Sequence, residues 1–175
     1  MMFHHAGITA RLAIAALGSA LLGSCTTPQP AQSAASPALL QRLATLEARA
    51  QRIQDINDIK RLQRSYGYYL DEGQWDDIAD LFADDASIEI GKDGIYHGRD
   101  HIRGYYKALG NGHNGLDPGQ LNEYLQLMPV ITLAADGEHA KGTWRAVILN
   151  GRLGKEAWWA EGPYENDYVK QNGVW

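Results

Sequence analysis

The chain has 175 residues, of which 45% are hydrophobic and 21% are charged, and its formal net charge at pH 7 is −5. A mildly acidic chain without a basic run is not suited to binding nucleic acid or an anionic membrane surface. Its length is that of one folded domain with additional segments.

The first 25 residues have the pattern of a lipoprotein export signal. Arg11 supplies a positive charge, and residues 12–23 form an apolar run that is shorter than the roughly 20 residues of a membrane-spanning helix. The run ends in LGSC at 22–25, which resembles the lipobox of bacterial lipoproteins. Because Cys25 is the only cysteine, lipidation explains it better than an ordinary secretory signal with an incidental cysteine. We expect residues 1–24 to be removed and Cys25 to carry the lipid.

The residues after the cysteine indicate how the mature protein is held. Thr26 rather than aspartate follows Cys25, which favours the outer membrane. The expected location is the bacterial cell envelope, with the protein lipid-anchored and facing the periplasm. Residues 25–38 contain three prolines and no large apolar side chain, which predicts a flexible tether. The lipid is then the only membrane contact.

A long helix is predicted over residues 39–70, with no proline or glycine before Gly67. An apolar stripe recurs at alternating spacings of four and three residues: Leu39, Leu43, Leu46, Ala50 and Ile53. Residues 39–52 form either a coiled-coil stalk or a helix that packs on its own domain, and both remain open. The domain proper is expected over residues 53–175.

Shorter elements follow the long helix. The pattern predicts a helix from Trp75 to Phe82, strands at 86–90 and 95–97 around an Asp93-Gly94 turn, and a third helix from Arg99 to Leu109. The next segment, residues 110–120, is rich in glycine. Loops of this length are often functional lids or disordered segments.

Long strands dominate the rest of the chain. They are predicted at residues 121–134, 139–149 and 157–170, with a turn at Asp136-Gly137 and another at 151–154. Asn172-Gly173 is a further hairpin signal, and Val174-Trp175 begins a strand that the sequence does not finish. Helices followed by long antiparallel strands predict an α+β fold.

Several motifs carry a family resemblance. The segment from Asp58 to Tyr106 resembles the first half of SnoaL-like domains, which belong to the nuclear transport factor 2-like superfamily together with scytalone dehydratase and ketosteroid isomerase. The matching features are a tyrosine-rich helix end before an aspartate, then GQWD, LFADDA and YHGRDHI. Residues 129–148 and 161–175 resemble the strand hairpins of the same family.

The resemblance implies a cone-shaped fold in which three N-terminal helices pack on a curved antiparallel sheet. Members of the family continue after the final GVW with one more strand that closes the sheet. That strand is expected to be missing here, either because the chain is truncated or because a partner completes the edge. An exposed edge strand is a liability in itself. The superfold hosts dehydratases, cyclases, isomerases and proteins that only bind.

The resemblance also implies a pair of catalytic residues at the end of the long helix. In SnoaL-like dehydratases a tyrosine and an aspartate face a histidine across the pocket, and the site removes a proton next to a carbonyl group. Tyr66 and Asp71 match the tyrosine and the aspartate, so Asp71 is the expected base. The alternative for Asp71 is a solvated side chain at a helix end.

The histidine position of the motif departs from the family. It lies five residues before Pro129 and holds Tyr124. Tyr124 can donate a hydrogen bond to an oxyanion, but it is a poor base because the ordinary pKa of tyrosine is about 10. His97, in a short strand, and His113, in the glycine-rich loop, are the candidates to replace it. No histidine pairs with carboxylates at metal-ligand spacing, so no metal site is expected.

Large apolar side chains are the candidates for binding a ligand: Tyr69, Met128, Trp144, Trp159 and Tyr164. Trp144 and Trp159 lie on neighbouring strands, and the pattern leaves open which face of each strand looks inward. Ordinary core packing is the alternative for all five. A cone lined by such side chains suits a flat, apolar ligand such as a polyketide, steroid or terpenoid ring.

Two functions remain open from the sequence. The first is a cofactor-independent lyase or isomerase acting on a hydrophobic carbonyl compound, with Asp71 as base and Tyr66 and Tyr124 as donors. The second is a non-catalytic, membrane-tethered lipoprotein that binds a small hydrophobic molecule or dimerises through its sheet. The helix at residues 39–53 offers a third, purely structural role in oligomer assembly.

Overall fold

The computed structural model describes residues 35–175. The chain divides into two units, Met1–Ser36 and Pro37–Trp175, and the second is described below. The predicted export signal, Cys25 and most of the predicted tether lie outside the described residues. Among the residues that are described, no helix has the length and apolarity needed to cross a membrane.

The long helix α1 spans Pro37–Glu72 and confirms the helix predicted from the apolar periodicity. Residues 37–54 are exposed, and burial begins at Asp55. From there one face is buried at intervals of three and four residues: Asp55, Ile59, Gln63, Gly67 and Leu70. Gly73 follows the helix with φ of 66°, a left-handed conformation that glycine adopts without strain and that commonly ends helices.

The shorter elements are α2 (Trp75–Asp80), β1 (Ser87–Ile90), a 3₁₀ turn (Gly91–Asp93), β2 (Gly94–His97) and α3 (Arg99–Leu109). Strands β1 and β2 form an antiparallel hairpin. Helices α2 and α3 are joined by Arg103, whose guanidinium lies 3.1 Å from Asp76 and 2.6 Å from Asp80. These ion pairs hold the two helices together.

Three long strands form the main sheet: β3 (Gln120–Leu133), β4 (His139–Arg152) and β5 (Glu156–Val169). They are antiparallel in the order β3-β4-β5, and within residues 35–175 strand β5 pairs only with β4. A bulge between Leu127 and Val130 interrupts the register of β3, and Met128 lies there with φ of 50°. Bulges bend a strand locally. Helices packed on a curved antiparallel sheet confirm the expected α+β fold.

The pairing register shows which strand face looks inward. On β4, Ala140, Gly142, Trp144 and Ala146 are buried while the residues between them are exposed. Trp144 is paired with Tyr164 on β5, so the two side chains share the inner face. Trp159 is paired with Leu149 and therefore lies on the outer face. The even-numbered residues of β4 and β5 face the helices.

The core has two parts. One is formed by buried residues of the helices: Leu70, Trp75, Ile78, Ile102 and Tyr106. The other lies between α1 and the sheet and consists of Ile59, Leu133, Ala140 and Tyr168. The space between these two parts is where the candidate site lies.

A buried ion pair fastens the middle of α1 to the residues after β5. Lys170 Nζ lies 2.7 Å from Asp55 Oδ1, and the indole N–H of Trp175 donates to the same oxygen at 3.0 Å. Burial by itself raises the pKa of Asp55, but the hydrogen bonds from Lys170, Trp175 and Gln51 outweigh it and leave the pKa below its ordinary value.

Asp55→Asn is expected to lower the free energy of unfolding by about 1 to 2 kcal/mol at pH 7, because charge-assisted hydrogen bonds are lost. A lowered pKa makes the ionised form stabilising above the ordinary carboxyl pKa of 3.8, and this contribution disappears as the pH falls through the folded-state pKa. Urea unfolding at pH 7 and near pH 3 measures both effects. Asp58→Asn, a change at a half-exposed carboxylate on the same helix that lies 3.7 Å from Arg61, serves as the control. An equal loss at pH 7 in both variants would contradict the role assigned to the buried pair.

Candidate functional site

A cavity of about 800 Å³ lies between α1, the segment that carries α2 and β1, and strand β5. Its apolar wall includes Leu62, Leu81, Phe82, Ile88, Ile90 and Val174. Its polar wall includes Gln63, Tyr66, Tyr106, Tyr164, Asn166 and Tyr168, and charged residues also line the cavity, among them Glu89, Arg99 and Asp167. A cavity of this size with a few convergent polar groups is typical of a small-molecule site.

Three tyrosines on three different elements form the tyrosine cluster: Tyr66, Tyr106 and Tyr164. The hydroxyls of Tyr66 and Tyr106 are 2.9 Å apart and share a hydrogen bond. The ring of Tyr66 stands edge-on to both other rings, with centroids 6.3 Å from Tyr106 and 6.1 Å from Tyr164. Helix α1, helix α3 and strand β5 thus bring three phenol groups to one point on the cavity wall.

Burial determines the protonation of the tyrosine cluster. It raises the pKa of Tyr66 well above 10, raises the pKa of Tyr106, and raises the pKa of Tyr164 to about 12. All three hydroxyls are therefore protonated at neutral pH. Such groups donate hydrogen bonds to an oxygen that gains negative charge, and they do not act as bases.

A network of neutral polar side chains holds the cavity wall next to the tyrosine cluster. Gln63 Oε1 accepts hydrogen bonds from Asn166 Nδ2 and from the Tyr168 hydroxyl, both at 2.8 Å. Gln63 Nε2 donates to Gln126 at 2.9 Å. The indole N–H of Trp144 donates to the Tyr168 hydroxyl at 2.8 Å. Because each group has a partner, the wall keeps its shape without a ligand.

Sequence reasoning missed Gln63, Tyr106 and Asn166. The sequence did contain an indication for Gln63, because Gln63 lies between Ile59 and Gly67 on the buried face of α1. A polar residue at such a position predicts a hydrogen-bonded partner in the interior. Tyr106 and Asn166 had no comparable signal, since their position depends on how α3 and β5 pack.

Asp71 and Tyr124 are neighbours, and neither of them lines the cavity. Asp71 Oδ1 accepts a hydrogen bond of 2.6 Å from the backbone N–H of Tyr124. Burial raises the pKa of Asp71, the hydrogen bond from Tyr124 opposes this, and the charges of Glu123 and Glu72 add to the rise. The Tyr124 side chain packs on the helical core. The structure therefore places Tyr66 on the cavity wall and Asp71 at the end of α1, hydrogen-bonded to β3.

Neither histidine candidate lies on the cavity wall. His97 is exposed on β2, and His113 is exposed in the glycine-rich loop, with Nε2 3.5 Å from Asp117. The loop is fastened away from the cavity, because the N–H of Gly115 donates to the carbonyl of Gly73 at 2.8 Å. The loop therefore does not cover the cavity as a lid.

The five ligand-binding candidates are distributed differently. Trp144 is buried beside the network and Tyr164 lies on the cavity wall. Tyr69 packs against the helical core instead. Trp159 and Met128 do not lie where the sequence analysis expected them, since their side chains are 72% and 75% exposed. Trp159 is exposed because it lies on the outer face of β5, and Met128 is exposed because it lies in the bulge of β3.

Metal binding finds no support in residues 35–175, where no group of three or more histidine, cysteine, aspartate or glutamate side chains could hold an ion. The polar groups of the cavity wall that come together at the tyrosine cluster are neutral hydroxyls and amides. What they can do is bind and polarise an oxygen atom of a ligand.

Comparison with known proteins identifies a family match. The model of the SnoaL-like domain matches residues 51–175. No curated protein matches the chain.

Solved structures match over most of the described chain. A protein provisionally named scytalone dehydratase from Novosphingobium aromaticivorans has 18% identity and a TM-score of 0.62, over 72% of this chain and 80% of that one. ActVI-ORFA from Streptomyces coelicolor has 14% identity and a TM-score of 0.56, over 68% and 88%. A protein from Catenulispora acidiphila in complex with S-DNPA has 16% identity and a TM-score of 0.55, over 67% and 82%. At these identities the likeness is one of fold.

Proposed function

The chain belongs to the SnoaL-like domain family, and we propose that it is a cofactor-independent lyase or isomerase that acts on a neutral, hydrophobic carbonyl compound. The observation that carries this proposal is the tyrosine cluster on the wall of the 800 Å³ cavity. Removal of a proton next to a carbonyl group places negative charge on the carbonyl oxygen. Hydrogen-bond donors fixed at that oxygen lower the barrier most when water is excluded.

The chemistry assigned to the tyrosine cluster follows from its protonation. Tyr66 and Tyr106 share one hydrogen bond, and their raised pKa values keep both protons in place near pH 7. A substrate oxygen at the cluster accepts a hydrogen bond that strengthens as the enolate forms. Asp71 is the base that the family resemblance implies, and burial raises its pKa, but its carboxylate lies off the cavity wall, so the role requires its own test.

The walls of the cavity support a flat, apolar substrate. Phe82, Ile88 and Leu81 offer apolar surface in the same cavity as the tyrosine cluster. A polyketide, steroid or terpenoid ring with one or two oxygens has matching size and polarity. The relative from Catenulispora acidiphila was solved in complex with S-DNPA, and that from Novosphingobium aromaticivorans carries the provisional name of a dehydratase.

A second candidate is a lipoprotein that binds such a molecule without turnover. The observation that favours it is the position of Asp71, whose carboxylate is engaged by the N–H of Tyr124 and lies off the cavity wall. In this case the tyrosine cluster is only a recognition site for a ligand oxygen. Both candidates are compatible with two further proposals, which are lipidation at Cys25 and a location facing the periplasm.

Exchange of α-hydrogens for deuterium in a bicyclic aromatic ketone such as 1-tetralone separates the two candidates. The protein is incubated with the ketone in D₂O and exchange is followed by proton NMR. Catalysis predicts faster exchange than in buffer. Tyr66→Phe is expected to slow the catalysed exchange about tenfold, since Tyr106 and Tyr164 remain as donors. Tyr68→Phe, an exposed change on the same helix, is the control and leaves the rate unchanged.

The Asp71→Asn variant assigns the base in the same assay. If Asp71 accepts the proton, exchange falls to the buffer rate while binding of the ketone persists. If exchange is unchanged, Asp71 is a structural residue that ties the end of α1 to β3, and another group accepts the proton. Binding without exchange by the unaltered protein would overturn the enzyme proposal in favour of the binding protein.

A further inference from the structure

The first half of α1 is an exposed helical arm, defined here as residues 37–54. Every residue in the arm is exposed. In proteins most helical stability comes from packing of an apolar face rather than from the helix propensity of the residues. The arm nevertheless carries large aliphatic side chains on one side, among them Leu43 (50% exposed), Leu46 (52%) and Ile53 (62%). Such a stripe indicates a surface that is covered in the working protein.

The spacing of the stripe is that of a coiled coil. Leu43 and Ala50 occupy a positions of a heptad, and Leu46 and Ile53 occupy d positions. This pattern repeats every 3.5 residues on average, which brings the stripe of one helix against that of another along the whole arm. Asn57, the next a position, is also exposed. A single asparagine at an a position fixes register and oligomer state in coiled coils.

The charges beside the stripe select one orientation. Arg42 takes a g position and Glu47 takes the e position five residues later. In a parallel pair of helices these two residues of opposite charge face each other across the interface, once on each side. In an antiparallel pair g faces g and e faces e, so like charges meet. Neither side chain forms an ion pair within residues 35–175.

We propose that the arm pairs with the arm of a second copy of this chain as a parallel, two-stranded coiled coil. The interface is built from Leu43, Leu46, Ala50 and Ile53, and Arg42 pairs with Glu47 of the other copy. Pairing in parallel places the two domains side by side at the same end of the stalk. This role is independent of the chemistry in the cavity.

Cysteine crosslinking in the full chain tests the contact directly. Cys25→Ser removes the only native thiol, and Leu46→Cys then places one at a d position. Paired d positions face each other closely enough for a disulfide, so mild oxidation is expected to give a covalent dimer. Ala48→Cys, at the f position of the same turn, is the control and stays mostly monomeric. No dimer from Leu46→Cys, or equal dimer from both variants, overturns the proposal.

Charge exchange tests the orientation in the full chain without added thiols. Arg42→Glu is expected to lower the dimer fraction, measured by sedimentation equilibrium, and Arg42→Glu with Glu47→Arg is expected to restore it. A double variant that dimerises as weakly as the single variant overturns the parallel arrangement.

Leu43→Asp with Leu46→Asp should give a monomer with an unchanged thermal midpoint for the domain. A dimer that persists in that variant forms through another surface, such as the outer face of the sheet, and also overturns the proposal.

Discussion

Gly110→Ala is expected to lower the free energy of unfolding by about 3 kcal/mol or more. Gly110 follows α3 with φ of −92° and ψ of 19°, a conformation open to any residue, so backbone strain is not the cause. A Cβ at this position would overlap the pyrrole edge of the Trp75 indole and lie 2.6 Å from the carbonyl oxygen of His113. Trp75 is 2% exposed and belongs to the helical core, so it has no room to move away.

The matched control for this change lies on α3, the helix that Gly110 follows. Gly104 has no atom within 4 Å of its ideal Cβ position. Gly104→Ala is expected to leave stability unchanged or to raise it by up to about 1 kcal/mol, because alanine favours the helix. Urea unfolding monitored by tryptophan fluorescence measures both variants. A Gly110→Ala protein as stable as the unaltered chain would contradict the close packing of α3 on α2.

Gly67→Ala is expected to lower the free energy of unfolding by about 2 to 3 kcal/mol, although alanine is normally the better helix residue. The added Cβ would lie 2.7 Å from the carbonyl oxygen of Tyr124 and 3.0 Å from Cγ of Gln126. The first contact is with backbone in β3, so the strand itself must shift. Gly67 therefore permits the close approach of α1 to the sheet.

Gly67→Ala is also expected to weaken ligand binding in the cavity, an effect that a loss of stability alone does not produce. Gln126 supports Gln63, and Gln63 in turn holds Asn166 and Tyr168 on the cavity wall. Displacement of β3 is expected to weaken binding of a cavity ligand at temperatures where the variant is still folded. If the Gly67→Ala protein is destabilised but binds the ligand with normal affinity, the contact between α1 and β3 does not control the shape of the cavity wall.

The helices and strands could be predicted because their periodicities are local. The helix Arg99–Leu109 was predicted with the bounds that the structure shows, and the long helix differs by two residues at each end. The turn between β1 and β2 was predicted at Asp93-Gly94, whereas the structure has a 3₁₀ turn at Gly91–Asp93. Short turns depend on backbone hydrogen bonds that residue types determine only weakly.

The inner face of β5 could not be predicted from β5 alone. Both parities contain aromatic residues, with Trp158 and Tyr164 on one and Trp159 on the other. The choice is made by pairing with β4, whose alternation of small buried and exposed residues is clear in Ala140, Gly142 and Ala146. A register of this kind is a property of two strands together.

The candidate site was predictable only in part for the same reason. The family resemblance pointed to Tyr66, and the structure places it on the cavity wall. Tyr106 on α3 lies 40 residues after its partner Tyr66, and Asn166 on β5 lies 103 residues after its partner Gln63, so their meeting with α1 depends on tertiary packing. The hydrogen bond that the Asp71 carboxylate accepts from the backbone of β3 is a tertiary contact that no sequence pattern reveals.

The central claim is that the tyrosine cluster binds an oxygen atom of a hydrophobic ligand inside the cavity. The most direct test compares the affinities of 1-tetralone and tetralin, which differ in the carbonyl oxygen, for the unaltered chain and for Tyr66→Phe. We expect the ketone to bind about tenfold more tightly than the hydrocarbon to the unaltered chain, and most of that preference to disappear in Tyr66→Phe. Equal affinities for the two ligands, or a preference that Tyr66→Phe leaves intact, would contradict the claim.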